Sequence, residues 1–297
     1  HYLLRKIIIP SIGDLPLAEI RRADVLDLMQ KVAIENGPHS SNQVHTLVVM
    51  VLNSALEREL IVANPALGLR KLYRPQPRER VLSTAEIRVL WGALEASACS
   101  APGEATGFHP TTARALQLCL ATGQRREEVA GTPWSEIDLD AKVWKLPKER
   151  VKNKRSHVVP LSTLALEVLR SCKRANPSSR WLFPSPASSR SERLADDIRL
   201  PGMALGRAIG RFATDLGWPN LGPHDLRRTA ATRMAEEPIS GSPDVIGRIL
   251  NHAPQGVTRQ VYVRADYQPQ MRQLLERWSE ELGRLMSVET DPANGGE

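Results

Sequence analysis

The chain has 297 residues, 41% hydrophobic and 25% charged, an ordinary composition for a globular protein with room for one or two cored domains. Its net charge is +7; the last 19 residues hold one base (Arg284) against five acids (Glu280, Glu281, Glu289, Asp291, Glu297), so the preceding body carries +11, which points to a polyanionic partner such as nucleic acid. Three scattered cysteines (Cys99, Cys119, Cys172) without a C-x-x-C pair argue against a disulfide framework or a zinc cluster, and no apolar run is long enough to span a membrane.

Leu3 to Pro10 is broken by Arg5 and Lys6 and lacks a signal-peptide cleavage pattern. Together with the cysteines, read as small buried hydrophobes, this predicts a cytoplasmic protein. The chain opens on His1 rather than Met, so an N-terminal portion is expected to be missing. A first helix is predicted where Val25, Leu28, Met29 and Val32 form one stripe, ending at Asn36-Gly37-Pro38. Ser40 and Ser41 offer N-caps for a second helix, about 42–60, with apolar Val44, Leu47, Val48, Val51, Leu52 and Ala55, closed by Asn64-Pro65. Arg74-Pro75-Gln76-Pro77-Arg78 has linker chemistry, and Ser83-Thr84-Ala85-Glu86 is a capping box that starts the next helix.

The pattern changes after Arg125. Glu136–Leu139, Val143–Leu146 and His157–Leu161 read as three short strands, with the basic stretch Lys148–Arg155 turning between the last two. Helices are predicted at about 163–175, 203–216, 224–236, 243–251 and 268–285, a polar loop at 185–202 and a disordered tail at 287–297. The expected fold is therefore mainly α with a small antiparallel sheet (α+β). Its expected parts are a helical domain over 1–73, a linker over 74–82 and a larger mixed domain over 83–286.

Three distant segments carry the chemistry: Thr122-Gly123-Gln124-Arg125, then His224-Asp225-Leu226-Arg227, then Leu250-Asn251-His252 with Tyr262 ten residues on. Two arginines can clamp one phosphate, two histidines can move protons, and a tyrosine beside such a clamp becomes a competent nucleophile. Pro223 reads as a helix start, which puts His224 and Arg227 on one face of a first turn, where an anion is favoured. Glu128 is spaced to orient Arg125, and Tyr267 is a rival to Tyr262. No phosphate-binding glycine loop and no H-E-x-x-H zinc motif accompany them, so neither cofactor nor metal is expected.

The order T-G-Q-R, H-D-L-R-R-T, L-N-H and V-Y resembles the tyrosine recombinases, in the branch of phage and genomic-island integrases. Trp134-Ser135-Glu136-Ile137-Asp138, Val159-Pro160-Leu161 and Trp181-Leu182-Phe183-Pro184 support the likeness over about 80–285. Ile9-Pro10-Ser11-Ile12-Gly13 and Asn64-Pro65-Ala66 extend it to a core-binding domain over 1–75. The resemblance implies a two-domain, C-shaped clamp that cleaves and rejoins DNA through a 3′-phosphotyrosyl intermediate, integrating or excising a mobile element.

It further implies that Arg125 and Arg227 are the phosphate clamp, His224 an acid/base, His252 a phosphate ligand, Tyr262 the nucleophile and Glu128 a support for Arg125. Lys152 best matches the family's hairpin lysine, with Lys154 and Lys148 as neighbours in contention. Members of this branch usually carry an arm-type domain and a full core-binding domain; this chain is expected to enter the core-binding domain after its first helix, which puts activity of this chain on its own in question. Partners implied are double-stranded attachment sites and a homotetramer on synapsed DNA, with a free monomer, accessory bending or excision factors, no membrane, and a location in the bacterial cytoplasm on the nucleoid. Ser40, Ser41, Asn42, Gln43 and His45 are the expected groove contacts. Leu275 and Trp278, on the final amphipathic helix, are expected to be partly uncovered for a neighbouring subunit. The alternatives are a type IB topoisomerase and a non-catalytic DNA-binding accessory protein.

Overall fold

The computed structural model describes residues 2–74, 79–100, 107–186, 197–252 and 267–287. The chain divides into two compact units, His1–Arg78 and Glu79–Glu297.

In the first unit a π-helical turn, Leu4–Ile8, runs into α1 (Ile9–Ile12) and is followed by α2 (Arg22–Asn36) and α3 (Pro38–Glu57). The predicted stripe of Val25, Leu28, Met29 and Val32 is buried, against Val44, Val48, Leu52 and Ala55 of α3. Helix α3 starts earlier than its serines suggest, because Pro38 occupies the first helical turn behind Gly37, whose φ of 85° suits glycine. The serine hydroxyls instead donate to carbonyls of the preceding helix: Ser40 to Asn36 (2.8 Å) and Ser41 to Met29 (2.7 Å). The helix also ends at Glu57, well before Asn64-Pro65. Asn64 instead ties the following turn together. Its Nδ2 donates to Asn53 Oδ1 (2.7 Å) while its Oδ1 accepts from Ala66 N (2.9 Å). Val51, expected on the apolar face of α3, is exposed.

The second unit opens with the reciprocal cap that the sequence predicts. Glu86 N donates to Ser83 Oγ (3.2 Å) and Ser83 N donates to Glu86 Oε2 (2.9 Å), starting α4 (Thr84–Cys99). Helix α5 (Pro110–Thr122) lies at the centre, with Leu116, Leu118, Cys119 and Leu120 fully buried. After α6 (Arg126–Ala130) comes an antiparallel sheet of order β1-β2-β3, formed by β1 (Ile137–Asp138), β2 (Val143–Leu146) and β3 (His157–Pro160). Val143 faces Pro160 and Leu146 faces His157 across the second pair. Strand β1 is shorter than predicted because Glu136 closes a 3-10 turn, Trp134–Glu136, and gives its carboxylate to Trp144 Nε1 (3.0 Å) and Arg150 Nη1 (2.8 Å). The remaining helices are α7 (Thr163–Ala175), α8 (Gly202–Asp215), α9 (Pro223–Ala235), α10 (Pro243–Ile249) and α11 (Gln268–Ser287).

Helix α11 corrects one expectation. Leu275 and Trp278 are not uncovered: they are 1% and 0% exposed, and Trp278 Nε1 donates to the Leu120 carbonyl (3.0 Å). Its flanks are tied down too, by Arg277 donating to Pro238 O (2.8 Å) and by Glu276 accepting from Thr163 N. The stripe at helical spacing is the contact of a helix with its own domain. Cys119 and Cys172 are buried as expected, whereas Cys99 is exposed. No helix among the described residues is long and apolar enough to cross a membrane.

Candidate active site

The site grows from the end of α5. Gly123 takes a left-handed conformation (φ 66°) and returns its N–H to Cys119 O (2.9 Å), so the chain stops being helical there and restarts at α6. Gln124 is fully buried, its Nε2 donating to Thr122 O (3.0 Å) and to Ile249 O (2.8 Å). Arg125 then occupies the N-cap of α6. Glu128 accepts twice from it, at Oε2 from the Arg125 N–H (3.2 Å) and at Oε1 from Nη1 (3.1 Å). The pairing proposed from spacing is thus observed, between a buried carboxylate and a guanidinium that still reaches solvent.

Arg227 projects from the start of α9, where Pro223 is the first helical residue. It is 3% exposed and donates from Nη1 to Gly123 O (2.8 Å) and from Nη2 to Leu250 O. Two arms of the guanidinium are therefore engaged with main chain from two other segments. Burial first, and then the charge of Arg125, push its pKa down to about 10, against the opposing pull of Glu128.

His224 and His252 join the two arginines electrostatically. Partial burial is the main cause holding His224 below the usual histidine range; Arg228, Arg227 and Arg125 add to it, while Asp225 opposes. His252 is lowered likewise, first by burial and then by Arg227, Arg125 and His224. Both imidazoles reach solvent. Asp225 does not pair with His224; it accepts from Gly222 N (2.9 Å) and pairs with Arg228 (2.9 Å). Such a cluster can receive an oxyanion, and its neutral histidines can accept or pass protons.

Lys152 lies on the β2–β3 connection and is exposed, as is Lys154. Between them, Asn153 Nδ2 donates to Asn251 O (3.0 Å) and Oδ1 (2.9 Å), which brings the connection to the segment that carries His252. Tyr262, the expected nucleophile, lies outside the described residues. Tyr267 is described: the Arg248 guanidinium stacks 3.7 Å from its ring centre.

Residues 82–269 match the family profile described as the phage integrase family, and residues 1–72 match that of the phage integrase central domain. The chain belongs to the phage integrase family. It is similar to two prophage integrases of Escherichia coli K12. IntA is 27% identical over 279 residues, 93% of this chain and 62% of the relative; IntZ is 28% identical over 295 residues, 97% and 66%. The chain thus spans somewhat less than two thirds of the length of these relatives. Its fold resembles that of lambda integrase in a tetramer bound to a Holliday junction, with a TM-score of 0.64 at 18% identity, covering 85% of this chain and 70% of the other.

Within this family member, the five residues expected to contact a DNA groove are not equivalent. Ser41 is fully buried on Met29 O, Asn42 is buried with its Nδ2 on Tyr73 O (2.6 Å), and His45 is buried with neither ring nitrogen hydrogen-bonded. These three face inward because positions 41, 42, 45, 48 and 52 lie on the buried side of α3. Gln43 is exposed and Ser40 half-buried, so the expectation keeps only these two on accessible surface. Two further residues have a place in the site to which the sequence assigned no role. Besides Gln124 there is His157, buried at the start of β3 with Nε2 3.0 Å from Ile249 O. Burial above all holds His157 below the usual range, with Arg227 and Arg125 adding to the effect. The sequence around it gives no hint of this, since its partner is distant in the chain; the only local signal is a histidine opening a strand.

Proposed function

We propose that the chain is the core-binding and catalytic part of a site-specific DNA recombinase, which integrates or excises a mobile element by cutting and rejoining duplex DNA. The carrying observation is the cluster of Arg125 and Arg227 with His224 and His252: two guanidinium groups fastened by a buried carboxylate and by main-chain carbonyls, beside two imidazoles that burial and these arginines hold below the usual histidine range. In this reading the scissile phosphate lies between the arginines. The Tyr262 oxygen attacks phosphorus in line, the bond to the 5′-oxygen breaks, and a 3′-phosphotyrosyl link forms. His224 takes the phenolic proton, Lys152 protonates the departing 5′-oxygen, and Arg125, Arg227 and His252 meet the charge that builds on the phosphoryl oxygens. The covalent link keeps the phosphodiester energy, so rejoining is the same path run backwards. The stacking of Arg248 on Tyr267 favours Tyr262 as the nucleophile, because it gives Tyr267 a packing role of its own.

Double-stranded attachment sites are the proposed substrate, with Gln43 and Ser40 as contacts from the first unit. The net charge of +11 before the acidic tail supports this. A monomer when free and a tetramer on two paired sites is the proposed assembly, and the lambda integrase tetramer on a Holliday junction supports it. Covalent trapping provides the test. The chain is incubated with nicked duplexes spanning the ends of its element, and a protein–DNA adduct that survives denaturation is sought. The wild type should form one, and Tyr262→Phe should bind DNA but form none. An adduct that persists in Tyr262→Phe and disappears in Tyr267→Phe would move the nucleophile; no adduct on any duplex would remove the catalytic reading.

A further inference from the structure

Three successive carbonyls run from the last residue of α10 onward, and each is claimed by a side chain from elsewhere. Ile249 O takes Gln124 Nε2 (2.8 Å) and lies 3.0 Å from His157 Nε2. Leu250 O takes Arg227 Nη2. Asn251 O takes Asn153 Nδ2 (3.0 Å), which is also 2.9 Å from Asn251 Oδ1. Asn251 is itself in the left-handed region (φ 50°), which asparagine tolerates better than most residues, and His252 comes directly after it. The segment bearing His252 is thus joined to the arginine turn by Gln124 and Arg227, to the hairpin connection by Asn153 and to the start of β3 by His157.

Asn153 is the part of this arrangement with no evident structural need. The connection already has anchors: Val151 is buried, and Arg150 pairs with Glu136 at 2.8 Å. The turn closes by itself through Lys154 N to Val151 O (3.0 Å), and Asn153 Oδ1 accepts from Arg155 N (3.2 Å). What the Asn153 amide adds is a long-range attachment, and its neighbour in the chain is the exposed Lys152. We propose that Asn153 is a positioning residue: by fastening the turn to Asn251 it holds Lys152 beside His252, where the lysine protonates the leaving 5′-oxygen.

This rests on the recombinase reading above, and the test separates the two. The full chain is assayed for single-turnover cleavage on the nicked duplex that traps it, made with either an ordinary or a sulfur-substituted 5′-bridging position. Sulfur leaves without being protonated, so it bypasses a general acid and nothing else. Lys152→Ala should be slow on oxygen and restored on sulfur; if sulfur does not restore it, Lys152 is not the acid and the reading of the hairpin lysine fails together with this proposal. Asn153→Ala should lose roughly tenfold on oxygen, about 1.4 kcal/mol of barrier, and recover on sulfur. Asn153→Asp keeps the acceptor for Arg155 but sets a charged acceptor in place of the donor to Asn251, so it should be at least as slow on oxygen as Asn153→Ala. If Asn153→Asp cleaves normally, the local turn is what matters. If both variants are slow and sulfur restores Lys152→Ala but neither of them, Asn153 acts through the fold or through His252. Equal cleavage by all Asn153 variants would mean that Val151 and Arg150 suffice. Each of these three results overturns the proposal.

Discussion

Replacing Trp278 by Phe should destabilise the second unit, through a lost hydrogen bond and a small cavity. Trp278 has no solvent exposure, and its Nε1–H satisfies Leu120 O, one of the last carbonyls of α5 and three residues before Gly123. Phe keeps most of the packing but cannot donate. The orphaned carbonyl costs about 1–3 kcal/mol. A residual cavity of roughly 40 Å³ adds about 1 kcal/mol at ~24 cal/mol per Å³. A total near 3 kcal/mol and a urea slope of about 3 kcal/mol/M imply a midpoint lower by about 1 M. Trp278→Ala, with a larger cavity, should lose about 4 kcal/mol or more. Urea titration followed by tryptophan fluorescence and far-UV circular dichroism measures both, and deletion of residues 268–297 should unfold the unit rather than spare it. An unchanged midpoint in Trp278→Ala, with loss confined to assembly on paired sites, would return α11 to a role between subunits.

Arg125→Ala and Arg227→Ala should each lower single-turnover cleavage by about 10² or more, and Lys at either position should not restore it, since an ammonium lacks the planar fork; near-normal cleavage by either would dismiss the clamp. Thermal stability should fall as pH drops below about 6.5, because His157, His224 and His252 are all held below the ordinary histidine range, so the unfolded chain takes up protons first and the stability present above that pH is lost on the way down through the folded values. Melting temperatures between pH 8 and 5 check this, and His157→Gln should flatten the slope. DNA affinity should fall steeply with salt, with Gln43→Ala weakening it, while Ser41→Ala should leave affinity alone and cost the first unit about 1 kcal/mol through its bond to Met29 O. A flat salt plot, or a loss of affinity in Ser41→Ala with stability intact, would contradict this division.

Much of the fold was legible because apolar spacing is a local signal. The stripe of α2, the box at Ser83 and Glu86, and the order of strands and helices after Arg125 were all present in short windows of sequence. So was the constellation of Arg125, Glu128, His224 and Arg227, since two residues three apart on a first turn must share a face. What failed was the sorting of polar residues into inward and outward. Ser41, Asn42 and His45 look like surface chemistry, yet they sit on the buried stripe of α3, and Ser41 is satisfied there by a carbonyl of α2. Trp278 failed for the opposite reason: an amphipathic helix does not say whose surface covers it. The contacts of Gln124, Asn153 and His157 were not legible because their partners are main-chain atoms 125, 98 and 92 residues away, which no local pattern encodes.

Gly123 has a consequence beyond ending a helix. A Cβ there would meet Leu250 Cδ2 at 3.1 Å and Ala230 Cβ at 3.7 Å, and its own oxygen receives Arg227 while Arg125 follows two residues later. The spacing of the two guanidinium groups is therefore set in part along backbone, from the Gly123 carbonyl to the N-cap two residues on. A side chain at position 123 would press on Leu250, whose carbonyl also receives Arg227, so the turn that sets Arg125 and the segment that holds Arg227 would shift together.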